Sequence, residues 1–258
     1  MGYKELKLFK HKTKADHYIS KGRRKWSDLD KSIKHFLKKS VFNGKSVLEI
    51  GCAAGGLYEI LRRRFGSMKF TGTDISPDEI KVARKRYPDA EFSACDFYSN
   101  KFKSNSFDTV ASFLVVHHQR DYKKFISELI RISKSDIIFD VRLKSDGQTV
   151  VDLDASYLYY HGTGKRNYYC VYNMYEFLNF LHLDKFDIKS ISIYGYYPPK
   201  KTSAFVPMPK SKMITAAVHL KKYKKGERIK RWGGHPQFAE RDWCKLDVKI
   251  PGFKAADF

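Results

Sequence analysis

One stretch decides the fold of this chain: Lys45-Ser46-Val47-Leu48-Glu49-Ile50-Gly51-Cys52-Ala53-Ala54-Gly55-Gly56. Its apolar first half predicts a buried strand, and the small residues that follow predict a tight turn. A helix is expected next, with apolar side chains at helical spacing at Leu57, Ile60, Leu61 and Phe65. Small residues let the backbone approach a ligand, and the first turn of a helix presents unpaired N–H groups with a partial positive charge. The stretch therefore predicts a turn that binds a nucleotide.

Length and composition indicate a globular protein. The chain has 258 residues, of which 42% are hydrophobic, which is enough for one large α/β domain with a sizeable core. The four cysteines are far apart and follow no metal-ligand spacing, so we expect no metal site and a reducing compartment. No apolar run approaches the roughly 18 residues that a membrane span needs. We therefore expect a cytoplasmic protein.

Positive charge is concentrated at the two ends of the chain. The formal net charge is +22, of which residues 1–45 and residues 200–258 contribute +10 each. Residues 46–199 contribute only +2. Such basic flanks suit a polyanionic partner such as RNA or a phosphorylated metabolite, and they suit a solubilising role equally well.

Strand and helix patterns alternate through the middle of the chain. Strands are predicted near 46–51, 68–74, 91–95, 107–113 and 136–142, and helices near 56–65, 77–87 and 121–132. Outside this core we predict helices across 28–40, capped by Ser27, and 173–182, and an antiparallel pair of strands near 186–194 and 213–220. The alternation predicts an α/β fold, with a doubly wound, seven-stranded, mostly parallel sheet, an antiparallel last strand and helices on both faces.

Three carboxylates are expected at the ends of three successive strands. Glu49 stands two residues before the first glycine, Asp74 ends the second strand and Asp96 ends the third. The carboxyl ends of parallel strands open into one crevice, where α/β sheets bind ligands. A buried Glu49 needs a cation or hydrogen-bond donors, and the apolar residues Ile75 and Phe97 suit an adenine ring. These residues describe a ligand with a cation, a ribose and an adenine, which fits S-adenosylmethionine better than NAD.

These motifs resemble those of the class I (Rossmann-like) S-adenosylmethionine-dependent methyltransferases. The first motif is resembled by Leu48-Glu49-Ile50-Gly51-Cys52-Ala53-Ala54-Gly55-Gly56, with Ala53 in place of the usual middle glycine. The later motifs are resembled, in order, by Thr73-Asp74-Ile75-Ser76, Cys95-Asp96-Phe97 and Phe107-Asp108-Thr109-Val110. The resemblance covers about 46–142 well and fits the order of later elements to about 220. It implies that the cofactor is bound by Glu49, Gly51, Ala53, Gly55, Asp74, Ile75, Asp96, Phe97 and Phe113.

The resemblance also suggests a division of the chain. Residues 1–44 would form a basic N-terminal helical cap, residues 45–222 the methyltransferase domain, and residues 223–258 a basic C-terminal tail. Within the domain, 143–172 and 195–212 are expected to be insertions on the side of the methyl acceptor.

A general base would assist methyl transfer to a hydroxyl or ammonium group, and such a base contributes typically ~10²–10⁴-fold in rate. The candidates are His117, His118, Asp140 and His161. The fourth strand is followed by Ser112-Phe113-Leu114-Val115-Val116, which lacks the Asn/Asp-Pro-Pro-aromatic motif of enzymes that methylate amino groups of adenine or glutamine. No cysteine stands where cytosine-5 methyltransferases place their nucleophile. We therefore expect methylation at an oxygen, or at an amine outside those families.

Tyrosines crowd the segment that follows the fifth strand, where this fold usually forms the wall of the acceptor pocket. Tyrosine stacks on sugars and bases and donates hydrogen bonds, and the alternative is an aromatic interface or local core. The predicted acceptor-binding residues are Tyr157, Tyr160, Lys165, Arg166, Tyr168 and Tyr172. We expect a small or carrier-bound, anionic acceptor, such as a phosphorylated sugar or a biosynthetic intermediate. An RNA methyltransferase that uses its basic flanks as a backbone clamp, and a noncatalytic cofactor-binding partner, stay open as alternatives.

Overall fold

A computed structural model describes residues 23–160, 165–182, 186–198, 204–206, 212–223 and 244–250. Its strands are β1 Ser46–Ile50, β2 Lys69–Asp74, β3 Glu91–Ala94, β4 Phe107–Ser112, β5 Ser133–Lys144, β6 Tyr157–Tyr160, β7 Lys165–Tyr168, β8 Tyr172–Asn173, β9 Ile188–Tyr196, β10 Ala204–Phe205, β11 Ile214–Lys222 and β12 Lys245–Lys249. Nine of these strands form the central sheet, and β6, β7 and β10 form a smaller one.

The central sheet has the strand order β12-β9-β11-β5-β4-β1-β2-β3, and β8 pairs with β5. Neighbouring strands are parallel except β11, which runs antiparallel to both β5 and β9. The predicted fold is confirmed: a mostly parallel sheet with an antiparallel late strand. The strand count differs from the predicted seven because β8 and β12 join the sheet. β12 lies in the predicted C-terminal tail, where Leu246 and Val248 pack against the core in a pattern too short to indicate a strand.

Five α-helices surround the sheet within the described residues: α1 Lys31–Leu37, α2 Gly56–Phe65, α3 Pro77–Arg86, α4 Tyr122–Ile132 and α5 Met174–Leu181. The first helix begins later than predicted because Asp30, and not Ser27, accepts a hydrogen bond from the N–H of Ser32 (2.9 Å). At α3 the cap is Ser76, which accepts from the N–H of Glu79. None of these helices is long and apolar enough to cross a membrane.

Apolar side chains pack on both faces of the central sheet. One cluster joins α4 and α5 to strand residues such as Ile137 and Phe139, and the other joins α1, α2 and α3 to residues such as Ile138. Successive residues of β5 thus belong to different clusters, which explains why Ile137, Ile138 and Phe139 are all apolar. Each large apolar side chain that becomes fully buried stabilises the fold by roughly 1.5–3 kcal/mol. The two clusters therefore fix the position of the sheet and, with it, the ends of its strands.

The turn after β1 is held against the end of β2 by backbone hydrogen bonds. The N–H groups of Gly51 and Cys52 both donate to the carbonyl oxygen of Thr73, over 2.8 and 3.0 Å. Gly51 has a left-handed φ of 78°, which glycine adopts without strain. Ala53 is also left-handed, with φ 45°, although it carries a Cβ. The alanine that replaces the usual middle glycine therefore sits in a conformation that favours glycine.

Ala53→Gly is expected to raise the free energy of unfolding by about 0.5–1 kcal/mol, because the left-handed Cβ costs about 1–2 kcal/mol and the freedom of glycine in the unfolded chain cancels part of the gain. Urea denaturation measures the difference. The matched control is Ala54→Gly, whose backbone is not left-handed; it is expected to lower stability by about 0.4–1 kcal/mol. Equal losses in both variants would contradict the strain at Ala53.

Candidate functional site

A cavity of about 280 Å³ lies at the carboxyl ends of β1 to β4. The ends of β1 and β2, the turn after β3 and the start of α3 bring acidic residues to its wall. The segment after β4 brings two histidines, and β6 brings an apolar side chain. Because β1 lies between β4 and β2 in the sheet, the acidic groups and the histidines come from neighbouring strand ends.

Glu49 is a deeply buried acid in the wall of the cavity. Glu49 is 5% exposed, and its Oε2 has no hydrogen-bond partner among the described residues. Burial raises the pKa of Glu49 well above its usual value, the nearby Asp74 raises it further, and Arg23 opposes both. A buried carboxyl without donors is costly, so this position suits a ligand with a cationic or hydrogen-bond-donating group.

Asp74 and Asp96 also lie in the cavity wall, as predicted, and both are anchored by backbone N–H groups. Asp74 accepts from the N–H of Ala53 through Oδ2 and from the N–H of Ser76 through Oδ1, each over 2.9 Å. Burial raises the pKa of the Asp74 carboxyl, and these donors oppose the shift. Asp96 accepts from the N–H of Tyr98 (2.9 Å), and burial raises its pKa as well.

Glu79 is a fourth acid in the wall, and the sequence did not single it out. It stands in the first turn of α3, is 4% exposed, and neither carboxylate oxygen has a partner among the described residues. Burial and the charge of Asp74 raise the pKa of Glu79 to about 7, although Arg86 opposes the shift. An acid in the first turn of a helix is usually an exposed residue that interacts favourably with the helix dipole, so the sequence around Glu79 does not indicate a cavity residue.

The remaining predicted cofactor residues divide into two groups. The cavity is lined by Gly51, Ala53, Ile75, Phe97 and Phe113. A Cβ at Gly51 would lie only 2.3 Å from Cγ2 of Val115, so this glycine allows a close approach of two chain segments. Gly55 is not in the wall: a Cβ there would lie 3.0 Å from the rings of Tyr87 and Phe92. Its contact is with the core, which corrects the prediction that it faces the ligand.

His117 and His118 follow β4 on a short 3₁₀-helix and both line the cavity. Nδ1 of His118 lies 2.5 Å from the carbonyl oxygen of Tyr168. A carbonyl only accepts, so the contact with Tyr168 requires a proton on Nδ1. The side-chain amide of Asn167 lies 3.3 Å from the same nitrogen. His117 is 3% exposed, and its Nδ1 has no partner among the described residues. Burial lowers the pKa of His117 well below its usual value, so its ring is neutral.

Comparison with known proteins identifies the domain around this cavity. Residues 48–139 match a family model described as "Methyltransferase domain". The matched segment contains Glu49, Asp74, Asp96 and both histidines. Residues 48–139 therefore form a methyltransferase domain, of the S-adenosylmethionine-dependent, Rossmann-like class.

Curated relatives match about a third of the chain. Phthiotriol/phenolphthiotriol dimycocerosates methyltransferase of Mycobacterium leprae is 33% identical over 92 residues, which cover 35% of this chain and 34% of that protein. The 2-methyl-6-phytyl-1,4-hydroquinone methyltransferase of Synechocystis is 36% identical over 94 residues, covering 35% and 29%. The match thus spans about a third of the length of these relatives.

Solved structures share the fold over a longer part of the chain. Phosphoethanolamine N-methyltransferase 2 of Haemonchus contortus, solved with S-adenosyl-L-methionine, superposes with a TM-score of 0.55 at 18% identity. The superposition covers 74% of this chain and 52% of that one. At this identity the likeness concerns the fold.

The cavity of the methyltransferase domain fits S-adenosylmethionine on the evidence of its own side chains. Buried acid oxygens without partners, at Glu49 and Glu79, suit the cationic groups and hydroxyl donors of this cofactor. Ile75 and Phe97 present apolar surface in the same wall, which suits the adenine ring. The acidic and apolar side chains of the wall therefore fit S-adenosylmethionine.

Asp140, a predicted general base, is instead part of the framework of the methyltransferase domain. It is 2% exposed, pairs with Arg142 over 2.9 Å, and accepts from the N–H of Leu114 over 2.5 Å. Leu114 has a left-handed φ of 60°, so this bond stabilises the strained turn that leads from β4 to the histidines. Both oxygens of Asp140 are engaged, and the residue is not in the cavity wall.

The tyrosine prediction is corrected at Tyr172. This residue is fully buried, and its hydroxyl lies 2.6 Å from the carbonyl oxygen of Val116 and 2.7 Å from that of Gln119. It supports the histidine segment from behind. Tyr157 stacks on Phe205 (ring centroids 5.0 Å apart), and neither lies in the cavity wall.

Arg166 and Tyr168 are also outside the wall. Arg166 is exposed, pairs with Asp154 over 3.2 Å and lies over the ring of Tyr157. Tyr168 contributes its carbonyl oxygen to His118. His161 and the side chains of Tyr160 and Lys165 lie outside the described residues.

Several residues in the wall could not be expected from the motifs. Leu158, next to Tyr157 on β6, faces the cavity because successive strand residues point to opposite sides. Tyr98 and Gln119 both line the cavity and are joined by a hydrogen bond of 3.0 Å. Arg23 and Arg24, which precede the first described helix, contribute the positive charge.

Glu79→Gln is expected to stabilise the protein at about pH 8 and to change little at about pH 4.5. The pKa of Glu79 is raised in the folded protein, so the carboxyl favours folding only while protonated, and its cost grows as the pH rises from about 4.5 to about 7. We expect a gain of about 1–3 kcal/mol at the higher pH, measured by urea denaturation without ligand.

The matched control for this stability measurement is Asp78→Asn, which removes the adjacent charge at a residue outside the cavity wall. It should give a much smaller pH-dependent gain, because Asp78 acts on Glu79 only through its charge and is the least of the causes that raise its pKa. An equal effect of Glu79→Gln at both pH values would show that the buried carboxyl carries no penalty.

Proposed function

We propose that this protein transfers a methyl group from S-adenosylmethionine to an oxygen atom of an acceptor. One observation carries the proposal: a single cavity joins buried acids without partners to a pair of histidines after β4. The acids suit the cofactor, and the histidines suit an acceptor that must lose a proton. The match of residues 48–139 to the methyltransferase model supports the reaction class.

Each acid has a distinct part in cofactor binding. The bound cofactor supplies a methyl group already activated on a sulfonium. Glu49 attracts the cationic end, and Asp74 accepts from the ribose hydroxyls while its backbone donors hold it in place. Asp96 and the neighbouring Phe97 lie where the adenine ring can be held. Because the methyl group is activated, the main task of the protein is to align donor and acceptor.

His118 is the general base in this proposal. Its contact with the carbonyl of Tyr168 orients the ring through Nδ1, and Nε2 is the nitrogen that would take the acceptor proton. His117 is held neutral by burial and serves as a hydrogen-bonding neighbour, with its ring centroid 4.2 Å from that of His118. Tyr172 and Asp140 fix the segment that carries both rings.

The described wall favours an acceptor with an apolar part beside its reacting oxygen. Leu29, Leu114, Val115 and Leu158 all line the cavity, whereas the positive charge comes from Arg23 and Arg24 and, beside the acids, Arg86. The wall is less suited to the small or carrier-bound, anionic acceptor that the sequence predicts. The two curated relatives are named for phthiotriol dimycocerosates and for a phytyl hydroquinone, and each matches about a third of this chain. The segments predicted to clamp RNA lie largely outside the described residues.

Titration with S-adenosylhomocysteine tests cofactor binding. The wild type should bind, and Asp74→Asn should bind about 10-fold or more weakly, because a charged hydrogen-bond partner is lost. Gly51→Ala should bind weakly because its Cβ would clash with Val115. The control is Gly44→Ala, at an equally left-handed glycine with nothing within 4 Å. Normal binding by both site variants would contradict the assignment.

The proton-transfer proposal is tested by His118→Gln. We expect a loss of about 10²–10⁴-fold in the rate of methyl transfer, with S-adenosylhomocysteine affinity unchanged, because the base acts only on the acceptor. Radiolabelled methyl transfer to a panel of phenols, hydroquinones, fatty acids and phosphorylated sugars measures it. His182→Gln, at a histidine outside the cavity wall, is the control. A wild-type rate in His118→Gln would exclude His118 as the base.

A further inference from the structure

The segment that precedes α1 is packed directly on the start of α2. The carbonyl oxygen of Arg23 lies so close to Gly56 that a Cβ at this glycine would be 1.9 Å from it. Only glycine permits this approach, because any side chain would push the segment away. The backbone of residue 23 is therefore held at the cavity by contact with the turn that follows β1.

A group of ion pairs and hydrogen bonds fixes the next residue. Arg24 donates through Nε to Oε2 of Glu59 (2.6 Å) and through Nη2 to Oε1 (3.3 Å). Glu59 also accepts from Arg63 and from the hydroxyl of Tyr87, each over 2.6 Å. Glu59 is 7% exposed, whereas the side chains of Arg24 and Arg63 are 45% and 70% exposed, so a buried carboxylate is paired from the surface. Arg24 thus anchors the segment to α2, and its neighbour Arg23 is left to face the cavity.

Arg23 is half-buried in the cavity wall, and its guanidinium makes no hydrogen bond or ion pair with any described residue. Its charge nevertheless acts on Glu49 and on His117. No ion pair within 4.0 Å joins Arg23 to Glu49, although both line the same cavity. A guanidinium and a buried carboxyl group thus face the same space without a direct ion pair between them.

We propose that Arg23 and Glu49 together bind the amino-acid end of the cofactor, with Arg23 on its carboxylate and Glu49 on its ammonium group. This rests on the proposed function and adds a residue that no methyltransferase motif in the chain contains. An α-amino acid presents a carboxylate and an ammonium group a few bonds apart. The first matches the guanidinium of Arg23, and the second would stabilise the ionised form of Glu49, which lines the same cavity. The guanidinium also offers paired N–H donors that match a carboxylate.

Calorimetric binding tests the pairing without any acceptor. The ligands are S-adenosylmethionine, its decarboxylated form, which lacks only the carboxylate, and 5′-methylthioadenosine, which lacks the whole amino-acid end. The wild type should bind S-adenosylmethionine about 10- to 100-fold more tightly than the decarboxylated form, as expected for a hydrogen bond between charged groups. In Arg23→Gln this ratio should fall to near one.

Two variants keep the result specific to Arg23. Arg23→Lys retains the charge without the paired donors and should give an intermediate ratio. Lys25→Gln removes a charge from an exposed neighbour outside the cavity wall and should leave the ratio unchanged. All variants should bind 5′-methylthioadenosine equally, which shows that each is folded.

The outcomes separate the possible failures. If the wild type binds neither S-adenosylmethionine nor S-adenosylhomocysteine, the proposed function fails together with this inference. If the wild type binds and Arg23→Gln keeps the wild-type ratio, only the inference fails. Arg23→Gln could also keep the wild-type affinity ratio and yet transfer methyl groups more slowly to acidic acceptors. Arg23 would then bind an anionic group of the acceptor, and its assignment to the cofactor would be wrong.

Discussion

The carboxylate of Asp74 is the contact on which the site depends. It accepts the N–H of Ala53 from the turn after β1 and the N–H of Ser76 from the start of α3, each over 2.9 Å. One side chain at the end of β2 therefore fixes two separate turns around the same cavity. The register of β1 against β2 brings these groups together, since Ile50 pairs with Thr73 at the ends of the two strands. Without this anchor the left-handed backbone at Ala53 would have little to hold it.

The cavity contains polar groups that the folded chain alone does not satisfy. Glu49 and Glu79 are buried with carboxylate oxygens that lack partners, and His117 has an unpartnered Nδ1. Buried polar groups in proteins usually have a partner, so a cluster of exceptions in one cavity indicates that a ligand supplies the missing contacts. The protein accepts lower stability at these positions because its binding site requires them.

The sequence predicted the parts of the site that short-range motifs determine. Glu49, Asp74 and Asp96 stand at strand ends, and the alternation of strands and helices is enough to bring such ends to one edge. Tyr172 could not be assigned in this way, because its hydroxyl contacts carbonyls 56 and 53 residues away. Asp140 was expected to face the cavity, yet Arg142, two residues along the same strand, draws it into a buried pair. Glu79 and Arg23 belong to no recognisable pattern, and only the packing of α3 and of the segment before α1 places them in the wall.

A crystal structure of the protein with S-adenosylhomocysteine tests the central claim most directly. The account predicts that the ligand fills the cavity at the ends of β1 to β4, with its ribose at Asp74, its adenine beside Phe97 and its sulfur open towards His118. The acids that lack partners would then have them. A ligand bound elsewhere, or a cavity in which Glu49 and Glu79 stay without contacts while the ligand is bound, would contradict the account.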